Sequence, residues 1–290
     1  MINNLTFPDG ITYEISYLTG GDFLGRGFVY SQSMSKFYLG ANNPIIRLIY
    51  DTSNVTNMSY LFSECTSLTS ISQLDTSKVN DMNHMFYSCN NLTSIPQLDT
   101  SNVTNMSYLF SGCTSLTSIP QLDTSNVTNM YYIFDRCSIL TSIPQLDTSK
   151  VTNMNHMFYS CNRITSIPQL DTSKVNDMGY IFASCTNLTS IPLLDCSSVS
   201  YTSGPFGTST LSKLTDLGGF RDLKVSWSSN FLDRTPNVTV ESLMNVINNL
   251  YDLTANGLSG KSLKFGSTNL NKLTSEQKAV ATAKGWTLTT

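Results

Sequence analysis

At 290 residues, with a net charge of −3 and only 13% of side chains charged, the chain has no basic stripe of the kind that nucleic acids or anionic membranes require. No apolar run approaches the ~20 residues of a membrane span. The opening MINNLTFPDGITYEISYLTGG lacks the basic-then-apolar profile of a secretory signal, so synthesis in the cytoplasm is expected, with neither nucleic acid nor a membrane span as partner.

In chain order, Ile11, Tyr13, Ile15 and Tyr17 alternate with Thr12, Glu14 and Ser16, the pattern of a half-buried strand. GGDFLGRG near residue 20 reads as a glycine-rich turn, and PIIRLIY, from Pro44 to Tyr50, as a second strand. Residues 1–49 are therefore expected to form a small β cap, which can also serve as an attachment module.

From residue 50 the sequence repeats. Six units of 24 residues begin at Tyr50, Leu74, Leu98, Leu122, Leu146 and Leu170, with a degenerate seventh at Leu194, so 50–200 is expected to be one solenoid. In the third unit the apolar places are Leu98, Val103, Met106, Leu109, Phe110, Cys113, Leu116 and Ile119. From Val103 to Cys113 their spacing is that of one stripe on a short helix, and Asp99, Thr100 and Ser101 are residue types that cap a helix start. LTSIPQ then predicts a strand of about four residues, closed by Pro120. A strand plus a helical turn per unit is an α/β solenoid coil.

LDTSNVTNMSYLFSGCTSLTSIP, with its Asp-Thr-Ser opening, its Met-x-x-Leu/Met-Phe-x-x-Cys core and its Leu-Thr-Ser-Ile-Pro close, resembles the BspA-like leucine-rich repeats of bacterial surface proteins, also found in bacteriophage and protist proteins. The likeness covers about residues 48 to 200. It implies a right-handed leucine-rich-repeat stack used for attachment to surfaces, matrix or cells, with no catalytic residues. Cell-surface members usually carry a signal or lipoprotein sequence. Its lack here favours a virion part, such as a phage fibre or receptor-binding protein, or a segment of a larger protein.

Residues 201–290 are expected to form irregular coils and a C-terminal cap. TVESLMNVINNLYDL (239–253) has helical spacing after Thr239, and LTSEQKAVATAKGW (273–286) pairs Thr274 with Gln277 as a capping box and places Gly285 at a helix end. SLKF (262–265) and WTLT (286–289) read as strands around the second helix.

Four columns carry the candidate chemistry. Cys65, Cys89, Cys113, Cys137, Cys161 and Cys185 share one place in six coils. Buried packing is the favoured role; a disulfide ladder is opposed by side chains that point in parallel, and a metal site by the lack of Cys-x-x-Cys or a nearby His. Cys196, outside the column, is expected to be the thiol that reacts, if any does. Asp51, Asp75, Asp99, Asp123, Asp147, Asp171 and Asp195 form a second column, read as caps or loop bonds, each contributing about 1 kcal/mol, with a calcium ladder as the sharper alternative.

The third column is the candidate ligand-binding row. Place 11 of the unit lies about 150° from the centre of the apolar stripe of a helix, and so should face solvent. It holds Tyr60, His84, Tyr108, Tyr132, His156 and Tyr180, and place 14 adds Tyr87 and Tyr159. Exposed flat rings suit sugars or protein partners; the alternative is packing between coils. A Thr/Ser file including Thr93, Ser94, Thr117, Ser118, Thr141 and Ser142 is the competing face.

Catalysis is not expected, and neither is a cofactor. His84 and His156 stand three coils apart, at least ~15 Å, too far to share a site. ANGLSGKS (255–262) imitates a phosphate loop with Ala255 where the first Gly belongs, and a strand-like LKF follows it. The expected function is binding or adhesion to a surface protein or glycan of a cell, on a virion or cell surface, with residues 1–49 able to dock on a larger assembly; a passive structural or decoration component is the other reading. Near-identity between units points to duplication of coils, so sameness at exposed places is not by itself a sign of function.

Overall fold

A computed structural model describes the backbone of residues 3–6, 12–15 and 45–46 and the chain from 53 to 290 apart from 72, 202 and 228–230. Strands β1 (Asn3–Thr6) and β2 (Thr12–Ile15) pair antiparallel, Asn3 opposite Ile15. Strand β3 (Ile45–Ile46) pairs in parallel with β4 (Ser70–Ile71), which ends the first coil. The rest of the expected N-terminal module, the turn near residue 20 and Asp51 lie outside the described residues.

The 24-residue unit is the structural repeat. Asn57, Asp81, Asn105, Asn129, Asn153 and Asp177 form a continuous parallel ladder of single bridges, one rung per coil. The eight apolar places of coil three, Leu98 to Ile119, are all buried, as are their equivalents in the neighbouring coils. Phe62, Phe86, Phe110, Phe134, Phe158, Phe182 and Phe206 form a column of rings through the core, with centroids 5.5 to 6.4 Å apart.

The helix expected between Val103 and Cys113 is not formed, and none of the six coils contains one among the described residues. The segment is instead a run of tight turns. Leu109 donates to the Met106 carbonyl (3.2 Å), Ser111 to Tyr108 (3.2 Å) and Cys113 to Phe110 (3.0 Å). The amides in between cross to the next coil: Met106 to Asn129, Tyr108 to Tyr131, Phe110 to Ile133 and Gly112 to Asp135, at 2.7 to 3.1 Å. A helix would consume every amide internally; here every second one ties a coil to its neighbour. Local side chains start the turns: Asn105 Oδ1 accepts from the Ser107 amide (3.1 Å) and hydroxyl (2.8 Å), the competition with helix that Asn and Ser provide.

The strand side is equally spare. Thr93 donates its amide to the Thr69 carbonyl at 3.1 Å and its hydroxyl to the same oxygen at 3.2 Å, and Thr117 repeats this on Thr93. Among the described residues, ladders of two residues appear only towards the ends: besides β3 and β4, β5 (Ser190–Ile191) pairs with β7 (Asp216–Leu217), and β6 (Leu194–Asp195) with β8 (Phe220–Arg221), all in parallel.

Beyond residue 200 the coils lengthen but continue to stack. Thr215 donates to the Thr189 carbonyl and Thr239 to that of Thr215. Helix α1 (Val240–Asn249) begins where the Thr239 hydroxyl accepts from the Ser242 amide (3.1 Å), and buries Leu243, Val246 and Ile247. Strand β9 (Lys261–Lys264) precedes the short helix α2 (Gly266–Leu270). Helix α3 (Ser275–Ala283) carries the full capping box of Thr274 and Gln277, and Gly285 follows at φ +84°. Strand β10 (Trp286–Thr289) pairs in parallel with β9. Trp227, Phe231, Phe265 and Trp286 fill the interior of this end.

Candidate binding site on the solenoid wall

The place-11 residues form one stack, and they are half-buried where a helical wheel put them in solvent. Tyr60–His84, His84–Tyr108, Tyr108–Tyr132 and Tyr132–His156 lie at 4.5, 4.2, 4.9 and 4.3 Å between centroids and within 20° of parallel, and His156–Tyr180 at 4.9 Å and 32°. With no helix the angular argument loses its basis. The rings pack coil on coil, ring face against ring face. Place 14 adds flanking rings: Tyr87 meets His84 (5.2 Å) and Tyr108 (6.2 Å), and Tyr159 meets His156 (5.2 Å).

Every one of these six residues has positive φ, from 56° at His84 and His156 to 61° at Tyr60. So does place 15, where Gly112 stands at 79° and Glu64, Ser88, Arg136, Ser160 and Ser184 lie at 56° to 62°. Left-handed backbone is costly for a bulky L residue. The stack and the crossing amides impose it in each coil.

His84 and His156 are separated by the rings of Tyr108 and Tyr132, and each Nδ1 is bonded to the preceding Asn, Asn83 or Asn155. Burial lowers His156 to about 4, against a rise from Asp177. Burial, then contact with Tyr131, pushes the Tyr108 phenol up; at Tyr132 burial and the neighbouring Tyr131 do the same.

Sequence reasoning passed over two residues of this wall, both in coil four. Tyr131 stands edge-on to Tyr108 (5.2 Å) and Tyr132 (4.4 Å). Asp135 is a carboxylate in the wall with only 7% of its side chain exposed. The signal was available as departure from the repeat, because no other coil has an aromatic at place 10 or a charge at place 14.

The Cys column is buried, and it does more than fill space. Sγ of Cys89, Cys113, Cys137, Cys161 and Cys185 donates to the carbonyl of Phe62, Phe86, Phe110, Phe134 and Phe158 on the preceding coil, at 2.9 to 3.2 Å. Cys196, expected to be the reactive thiol, is fully buried between Met178 Sδ (3.9 Å) and the Leu194 carbonyl (3.8 Å), and burial pushes it well up; place outside the column did not bring exposure.

The Asp column, with no helix to cap, closes local turns instead. Asp99 Oδ1 accepts from the Ser101 amide (3.0 Å) and hydroxyl (2.7 Å), and Asp75 and Asp171 do the same with Ser77 and Ser173. Bonds from Ser125, Ser149 and Ser173 hold Asp123, Asp147 and Asp171 below the usual carboxylate range. Beside them runs a Gln column: Gln97 Nε2 donates to the Gln121 carbonyl (2.6 Å) and Gln121 Nε2 to that of Gln145 (2.7 Å), lining a groove along coils two to six. On the other side Thr93, Ser94, Thr117, Ser118, Thr141 and Ser142 are exposed. ANGLSGKS runs from a single helical turn (Thr254–Asn256) straight into strand β9, where a phosphate loop would open a helix. Among the described residues no helix is long and apolar enough to cross a membrane.

Parallel coils joined by main-chain rungs, with side chains repeating at fixed places, define a solenoid repeat protein. The chain belongs to the family described as "Mycoplasma protein of unknown function, DUF285", whose model matches residues 32–140, 87–193 and 114–217 and so spans more than half of it; this is the repeat family to which the BspA-like motifs point. A leucine-rich-repeat protein of T. pallidum (TpLRR), known from its crystal structure, is similar with a TM-score of 0.42 at 15% identity, over 85% of this chain and 99% of that one. No curated protein matches the chain.

Proposed function

We propose that the chain is a non-enzymatic recognition or adhesion module of the leucine-rich-repeat kind, which presents its solenoid wall to a protein or glycan on a cell surface and is itself carried on a virion or a cell surface. The observation that supports this reading is the Tyr/His file. Six bulky rings are stacked in register and half-exposed along one wall, and a continuous file of aromatic and imidazole groups of this kind suits contact with a sugar or a protein. Tyr60, His84, Tyr87, Tyr108, Tyr132, His156, Tyr159 and Tyr180 would form the contact row. The test is binding of the full chain to glycan arrays and cell envelopes, compared with a Tyr108→Ser, Tyr132→Ser double variant whose fold is verified by circular dichroism. Loss of binding in a folded variant supports the row; unchanged binding removes it.

The face-to-face stacking favours a second reading, a passive structural component whose rings only hold coils together. Under it, no surface binds the intact chain, and the double variant shows a lower melting temperature as its only defect.

A further inference from the structure

Coil four breaks the repeat in one spot. Place 14 is Ser in coils one and three (Ser63, Ser111), Tyr in two and five (Tyr87, Tyr159) and Ala in six (Ala183), but Asp135 in four. The same coil carries Tyr131 and Arg136. Duplication explains sameness between coils, so a local departure is the better guide to a function of its own.

Asp135 Oδ2 accepts from the Ser111 hydroxyl at 2.9 Å, while Oδ1 is sealed from solvent with no hydrogen-bond donor among the described residues. The Arg136 Nε stops 4.0 Å from Oδ1, and the Arg136 side chain is 68% exposed. A buried carboxylate oxygen without a donor is a charge awaiting a partner. Burial pushes the carboxyl up, and Ser111 and Arg136 offset this only in part, as expected of an undercompensated anion. The Asp135 amide donates to the Tyr132 carbonyl (3.1 Å), its charge acts on the Tyr108 and Tyr132 phenols, and Tyr131 packs edge-on against both of those rings.

We propose that Asp135 and the tyrosines around it form a single receiving site for a lysine side chain of a partner protein. Resting on the recognition reading, this makes the contact local to coil four instead of spread along the wall. The sealed oxygen calls for a cation on a slender stem, one that outcompetes the loose 4.0 Å contact of the exposed Arg136. Lysine supplies an ammonium with three donors on a four-carbon stem that packs along ring surfaces. An amino sugar holds its ammonium against a bulky ring and cannot follow.

The test is an NMR titration of the full chain with Nα-acetyl-lysine amide, its Nε-acetylated counterpart and glucosamine. Saturable shifts at the Tyr131, Tyr132 and Asp135 resonances are expected with the first alone. They should weaken at least about tenfold in Asp135→Ser, which installs the residue coils one and three already carry, and strengthen in Arg136→Ala. Absent shifts, shifts that survive Asp135→Ser, or equal binding of glucosamine overturn the proposal. If Arg136 is simply the partner of Asp135, Arg136→Ala lowers the melting temperature and lysine does not bind, which also overturns it. A chain whose envelope binding is lost in the Tyr108/Tyr132 variant but kept in Asp135→Ser retains its recognition function and refutes this site.

Discussion

Replacing Tyr132 by Ala and by Gly separates a run of left-handed turns from a helix. Ala removes the stacks on Tyr108 (4.9 Å) and His156 (4.3 Å) and the edge contact with Tyr131 (4.4 Å). At about 0.5–1.5 kcal/mol per aromatic pair, the loss is roughly 1.5–4.5 kcal/mol. Gly loses the same contacts but differs from Ala in the backbone. At φ 58° Ala carries a left-handed penalty of about 1–2 kcal/mol that Gly escapes. The greater freedom of Gly in the unfolded chain returns about 0.4–1 kcal/mol of that. Tyr132→Gly should therefore be more stable than Tyr132→Ala by about 1 kcal/mol, whereas in a helix Gly would be worse by about the same amount. Urea unfolding of the two variants side by side, read as midpoints at matched slope, resolves a gap of this size. An Ala variant more stable than the Gly variant refutes the left-handed assignment and the stacking geometry built on it.

Further outcomes follow from the columns. All seven cysteines should be inert to a thiol reagent in the native chain and titrate fully once it is denatured. Cys113→Ala removes one hydrogen bond to the Phe86 carbonyl and leaves a small void, lowering stability by about 1–2 kcal/mol in denaturant melts. Burial raises Cys185 from 9.0 to about 12, so its contribution is fully present below pH 9 and is lost as pH rises towards 12; melting temperature should decline over that interval. His156 has the opposite sense. Its folded value of about 4 lies below the ordinary 6.5, so the unfolded chain binds the proton first and stability falls as pH drops from 6.5 to 4; the ring resonances of His156 should titrate near 4. Deleting residues 98–121 should leave a folded, shorter solenoid by circular dichroism, while deleting 98–120 shifts every downstream side chain by one place and abolishes cooperative melting.

Much of the architecture could be read because a solenoid writes its period into the sequence. Leu98, Val103, Met106, Leu109, Phe110, Cys113, Leu116 and Ile119 were identifiable as core from recurrence alone. Conformation inside the coil was not. Three- and four-residue spacing is the signature of a helix, but a chain of tight turns also returns inward every three or four residues. Asn105 and Ser107, which bond each other at the first turn, were the physical clue, as was Gly112 at place 15. In the C-terminal coils, where Thr239 and Thr274 meet real helix starts, caps and elements agree. The wall was misjudged for the same reason as the turns: Tyr108 and Tyr132 were placed by a helical angle the backbone does not have. Asp135 is legible only as a departure, since a period reveals the residues that recur and is silent on one that does not.

The thiol column bears on where such a chain can work. A cysteine is usually sorted by compartment, reduced inside the cell and paired outside it. Here each thiol of the column from Cys89 to Cys185 is engaged by a carbonyl and sealed by the coils above and below, so its oxidation state depends on access, not on the ambient potential. A solenoid with this core carries its sulfur chemistry unchanged from reducing to oxidising surroundings.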